Sequence, residues 1–222
     1  MSTTFQPFGL KPAYHPSGLD RAVPFAGTNT YVTGVSGYSA PYSLSSGQSF
    51  WQYQPVTINS SGQLTIAAQA GSAGNTVYGV FDGVEYTNSD GRRSVAKYAS
   101  LTSLNSYTNI VFWIFADPAL VYEAQINGSA TAASIGQEYN FDTTSGSRVT
   151  DGYAIGNGGA GFSTTALLAT AVGSGNQGQV RVVGLGREAA YPAGNTNAWG
   201  DTYTIVQVQI CNNTFAAPSV SV

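Results

Sequence analysis

Gly156-Asn-Gly-Gly-Ala-Gly161 has the Gly-x-Gly-x-x-Gly spacing that lets backbone N–H groups close on a pyrophosphate. That chemistry needs a strand before the loop, a helix after it, and an acid about 20 residues on for the ribose. Position 181 is Arg and the next acid is Glu188, so the run reads as a surface loop. His15 is the single histidine and Cys211 the single cysteine. A Ser-His-Asp or Cys-His device would have to draw His15 from a proline-rich segment, and a zinc site would lack a second His. Asp82 with Glu85, or Glu123 with Asp117, could do acid–base work on a glycan, but these acids read as turn residues or polar strand faces. No Asp-x-Asp-x-Asp calcium loop occurs. No catalytic, cofactor-binding or metal-binding residue is assigned, no cofactor is expected, and the chain does not read as an enzyme.

The chemistry that remains is that of surfaces. Only 9% of the 222 residues are charged, against about 25% in an ordinary soluble domain. Protein-binding surfaces shed Lys, Glu and Asp and keep aromatics, and the 14 Tyr fit that pattern. The net charge is −3 and the eight basic residues are scattered apart from Arg92-Arg93, with Lys97 nearby. A groove that tracks phosphates needs clustered Lys and Arg, so no direct nucleic-acid contact is expected. Met1-Ser-Thr-Thr-Phe-Gln-Pro7 does not have the pattern of a secretion signal, and no apolar run approaches the ~18 residues of a membrane helix. A soluble product with no membrane partner is expected.

The elements are strands. Residues 1–28 carry Pro7, Pro12, Pro16 and Pro24, which forbid a helix and favour extended chain. Phe5, Phe8, Leu10, Tyr14 and Phe25 punctuate this stretch, so it reads as a docking arm, followed by a β domain over 29–222 that folds without residues 1–24. Trp51 and Tyr53 alternate with polar residues, Pro55 interrupts, and Val56 and Ile58 resume in the other phase, as at a bulge or an edge strand. Asn59-Ser-Ser-Gly62 turns into Leu64, Ile66 and Ala68, a hairpin. Val77–Phe81 and Ile110–Phe115 are apolar runs expected to be buried on both faces. Tyr122, Ala124 and Ile126 face away from Glu123 and Gln125, Val180 and Val182 alternate with Arg181 and Val183, and Val206, Val208 and Ile210 face away from Gln207 and Gln209. Asn88-Ser-Asp-Gly91 places the Arg pair at a hairpin tip. Thr164–Val172 reads as a strand or a short turn of helix. The whole is mainly β: an antiparallel β sandwich or barrel-like domain with an extended N-terminal arm and long loops.

Several blocks carry a resemblance. Phe8-Gly-Leu-Lys-Pro-Ala-Tyr-His-Pro-Ser-Gly18, Tyr78–Gly91, Phe115–Gln125, and the closing stretch Gln179–Leu185 with Asn195-Thr-Asn-Ala-Trp-Gly-Asp-Thr-Tyr203 through Phe215 occur in the order, and with the character, of tailed-bacteriophage capsid decoration or cement proteins. Cys211 departs from the pattern, and 156–161 falls in a variable region. The resemblance implies a virion structural protein on the outer capsid surface, assembled in the host cytoplasm, with the major capsid protein and its own copies, as a homotrimer, for partners. It implies that Phe5, Phe8, Leu10, Lys11, Tyr14 and His15 contact the capsid. The rival reading is a carbohydrate-binding or adhesin-like β-sandwich surface protein. Trp51, Trp113 and Trp199 are its candidate platforms, with Trp113 expected in the core.

Overall fold

The computed structural model describes residues 5, 7–18, 21–25, 40–67, 76–142, 163–187, 189–190 and 195–214. The Gly156–Gly161 loop lies outside them. The chain is a mainly β sandwich. In chain order the strands among the described residues are β1 Lys11–Tyr14, β2 Val23–Phe25, β3 Ser49–Trp51, β4 Gln54–Ile58, β5 Leu64–Ile66, β6 Gly79–Thr87, β7 Arg93–Ala96, β8 Tyr98–Ser100, β9 Thr108–Phe115, β10 Val121–Gln125, β11 Glu138–Tyr139, β12 Phe141–Asp142, β13 Ala166–Leu167, β14 Val180–Leu185, β15 Ala189–Ala190, β16 Asn195–Thr196 and β17 Ile205–Ile210, with a short α-helix, α1, at Leu101–Leu104 and a 3-10 turn at Ala132–Ser134. One sheet runs β1-β10-β17-β14-β11. The other runs β2-β9-β6-β4-β5, with β7 also on β6.

The period-2 pattern of β10, β14 and β17 sends Tyr122, Ala124, Val180, Val182, Val206, Val208 and Ile210 into one core, where Leu10 and the second sheet's Val80 join them. The two sheets meet there. On the far side of the second sheet, Phe50 stacks on Phe81 and both meet Phe112 edge-on, with centroids 5.3 to 6.2 Å apart. They are roofed by the β3–β8 pair and α1, whose Ala99 and Leu104 are buried. Ser100 caps α1 by accepting from Ser103 N–H at 3.1 Å.

Two local predictions meet a physical correction. The break between Trp51 and Val56 is at Tyr53, which takes φ 65°, and not at Pro55. Pro55 lies within β4, between β5 and β6, so β4 is not an edge strand. The run in β6 is buried on both faces through Val80 and Phe81, but β9 alternates: Ile110, Phe112 and Ile114 are buried whereas Val111 and Trp113 are half-buried on the opposite face. The Asn59–Gly62 turn forms as expected, with Asn59 Oδ1 accepting from Ser61 N–H and Gln63 N–H at 3.0 Å each. Thr164–Val172 contributes the strand β13, not a helix.

The N-terminal segment is woven into both sheets. β1 pairs antiparallel with β10, Lys11 opposite Glu123, and β2 pairs antiparallel with β9, Phe25 opposite Phe112. β1 and β2 therefore run alongside β10 and β9, from one sheet to the other. Two contacts seat the segment ahead of β1. Gly9 has φ +77°, and a Cβ there would sit 2.2 Å from Tyr53 O, so only glycine fits. Leu10 N–H then donates to Tyr53 O at 2.9 Å, and the Leu10 side chain is buried. Removing residues 1–24 would strip an edge from each sheet and the Leu10 side chain from the core.

Candidate functional site

At the corner between β1 and β2, the structure gathers residues that the sequence left apart. Ser17 N–H and Ser17 Oγ lie 3.1 and 2.8 Å from His15 Nδ1. On the other side of the ring, Nε2 is 3.1 Å from Asp117 Oδ2. Because Nδ1 accepts from a backbone N–H, the ring proton belongs on Nε2, toward the carboxylate. The order Ser–His–Asp is that of a nucleophilic triad with the two ring nitrogens exchanged.

Among the described residues, the backbone donors beside Ser17 are already engaged. Ser17 N–H is spent on Nδ1 and Gly18 N–H on His15 O at 2.9 Å, so neither backbone donor beside the hydroxyl faces outward to hold an oxyanion. The Nε2–Asp117 approach lies within ion-pair range but off the line of a hydrogen bond. What the arrangement does is mechanical. Asp117 Oδ1 accepts from Ala119 N–H at 2.8 Å to shape the β9–β10 corner, and the imidazole lies against that carboxylate, holding the β1–β2 corner to it.

Of the six residues expected to contact the capsid, Leu10 is the correction: it is 1% exposed, in the chain's own core, and offers no surface. Phe8 and Lys11 are half-buried, Tyr14 is 39% exposed with the Arg187 guanidinium 5.8 Å from its ring centroid, Phe5 meets Tyr203 with tilted rings 5.2 Å apart, and the His15 side chain is turned inward. Phe5 thus joins the arm to the closing turn.

That turn, residues 195–204, is a clamp that the sequence showed only as a motif. Asn197 Nδ2 donates to Gly186 O and Ile205 O at 3.0 and 2.7 Å, and its Oδ1 accepts from Ile205 N–H at 2.9 Å. Asp201 Oδ2 accepts from Ala198 N–H, and Gly200, at φ +90°, donates to Ala130 O. Arg187 N–H donates to Glu123 Oε1 at 2.7 Å, so Glu123 and Gln125, expected on an open polar face, are buried along with the rest of β10.

The proposed carboxylate pairs are held by separate partners. Asp82 binds Gln52 Nε2 and Lys97 Nζ at 3.1 and 2.8 Å, Glu85 pairs with Arg93, and Asp117 faces His15 while Glu123 faces Arg187. Cys211 donates Sγ–H to Gly178 O, and burial, with Glu138 next, pushes its thiol up to about 12. Among the described residues no group of three or more His, Cys, Asp or Glu could hold a metal ion, and no helix is long and apolar enough to cross a membrane.

No protein-family model, curated protein or solved structure matches this chain. The chemistry of the site is thus read from its own geometry. Its parts position backbone, and Tyr14, Ser17 and Asp117 are the side chains it leaves to solvent.

Proposed function

We propose that this chain is a virion structural protein that binds the outer surface of a tailed-phage capsid and stabilises the mature shell, without enzymatic activity. One observation carries the reading. The sequence blocks that resemble decoration proteins are scattered from residue 8 to residue 215, and three of the four supply β1, β10, β14 and β17, consecutive neighbours in a single sheet, while Tyr78–Gly91 supplies β6 of the other.

The partner is the major capsid protein, with other copies of this chain as a homotrimer, at the virion surface. Phe5, Phe8, Lys11 and Tyr14 form the contact with the lattice, Leu10 anchors the strand that presents them, and His15, its side chain 7% exposed, holds the corner behind them. Binding the expanded lattice more tightly than its precursor stabilises the mature state by linkage. Contacts this poor in charge are apolar and change little with salt, whereas ionic contacts are screened beyond about 10 Å at 0.1 M.

The test is decoration occupancy and capsid rupture temperature with and without the protein, from low to molar salt. We expect occupancy to persist in high salt, rupture temperature to rise, and Tyr14→Ser to reduce occupancy in a folded protein. Steep loss of occupancy with salt, or an unchanged rupture temperature at full occupancy, would refute the reading.

A further inference from the structure

We infer that Tyr86 and Tyr107 form an oxidative cross-linking site, which a one-electron oxidant converts to a dityrosine that staples the roof over the aromatic core. Their ring centroids lie 3.7 Å apart and the rings are within 8° of parallel. The two side chains also share a hydrogen bond, so the hydroxyls point the same way and the rings are superimposed, not head-to-tail. The carbon ortho to one hydroxyl therefore faces the carbon ortho to the other. Tyr42, Tyr78 and Tyr98 are placed differently: they meet Phe112, Phe25 and Trp51, with rings 40° to 82° from parallel.

Local structure brings the pair together. Tyr86 is near the end of β6, opposite Ser94 of β7. Tyr107 follows α1, and its N–H donates to Leu104 O at 3.2 Å, closing the turn that leads into β9. Between the Glu85–Val111 and Thr87–Thr108 pairs, β9 carries one residue more than β6, and Asn109 takes φ 52° there. Such a bulge re-aims the chain, here just after Tyr107. Both rings pack against the core of Phe50, Phe81 and Phe112 and are half-buried. A small oxidant reaches their edges, whereas a tyrosine of another molecule must first part the stack.

The chemistry balances. Two equivalents of the oxidant take one electron each, and each phenol O–H gives its proton to water. The hydrogen bond to Tyr107, with burial next, raises Tyr86 to about 12, so its electron leaves together with a proton and not from a phenolate. A phenoxyl radical carries part of its spin on the ortho carbons. One carbon–carbon bond forms between the facing pair, both ortho C–H bonds break, and those protons return to the two oxygens. The chain thus loses two hydrogens, and the oxidant is reduced by two electrons in total. Holding the rings in place replaces a bimolecular encounter. The link closes a loop over 86–107 that contains β7, β8 and α1, so it ties down much of the roof and restricts the unfolded chain. This site does not depend on the capsid reading.

The experiment exposes the dilute, purified full chain to photogenerated ruthenium(III) tris-bipyridine, with persulfate as the electron sink. The expected product is a monomer with dityrosine fluorescence and a mass lower by two hydrogens. Tryptic mapping should join the peptide that holds Tyr86 to the one that holds Tyr107, since Arg92, Arg93 and Lys97 lie between them. Tyr86→Phe and Tyr107→Phe keep a ring but no O–H, and each should lower the yield tenfold or more. Tyr14→Phe, at an exposed ring, should leave it unchanged. The native chain in urea, which needs no variant, should also lose the intramolecular link at least tenfold. The linked protein should melt about 6–12 °C higher. Covalent dimers as the main product, a link mapped to other tyrosines, or a yield indifferent to urea or to either Phe variant overturns the site. A mapped link with no rise in Tm overturns the staple.

Discussion

Leu10→Ala tests whether the N-terminal segment is a free arm or part of the fold. Leu10 is 1% exposed and shares its core with Tyr122, Val206 and Val208. Truncating such a leucine removes its transfer energy and leaves a cavity, for about 2–5 kcal/mol, and about 3 is a fair central value. In a domain of this size each kcal/mol lowers Tm by about 2–4 °C, so a fall of roughly 6–12 °C is expected. Urea unfolding followed by tryptophan fluorescence should show a lower midpoint with an unchanged slope. Tyr14→Ala is the internal control. Its ring is 39% exposed and its clearest partner is the Arg187 guanidinium at 5.8 Å, so its loss should cost less than about 1 kcal/mol. A Leu10→Ala protein destabilised by under about 0.5 kcal/mol would refute the seating of the arm between Tyr53 and the core, and would restore an arm that docks only on a partner.

Two further outcomes concern Ser17 and Cys211. Ser17 should not be labelled by a fluorophosphonate probe that labels a control serine hydrolase, because no backbone donor is aimed to stabilise the adduct; labelling lost on His15→Ala would reverse the structural reading of that corner. Cys211 should alkylate with iodoacetamide at pH 8.5 at least tenfold more slowly in the native protein than in urea, since burial raises its pKa from 9.0 to about 12 and the thiolate is the nucleophile. The sign for stability follows. The folded state holds this proton more tightly, so the contribution is fully present below about pH 9 and is lost as pH rises toward 12. Equal alkylation rates in the two states would refute the burial.

How much of this was legible depended on how far apart the partners lie in the chain. Asn59-Ser-Ser-Gly62 announced its hairpin because an Asx turn and a positive φ are satisfied within four residues. The alternation in β14 and β17 was legible because one face of each points into a single core. Ile110–Phe115 misled because unbroken apolarity does not say whether a second layer covers the other face: it does over Val80 and does not over Trp113, a difference set by where the other sheet ends. The prolines of 7–24 correctly ruled out a helix, but an extended strand with apolar punctuation fits an open edge on a neighbour and an open edge of its own domain equally well. What decides is about 100 residues away. Val121–Glu123 and Phe112–Ile114 present edges at the two sides of one corner, and His15 has Asp117 to meet there. Neither residue carries a local signature of that meeting, so Ser17, His15 and Asp117 could not be grouped by spacing. The same geometry links stability to binding. The residues that would face the capsid ride on a strand fixed by Leu10 and Gly9, so substitutions that loosen the seat should lower occupancy in proportion to lost stability, whereas Tyr14→Ser should lower occupancy alone.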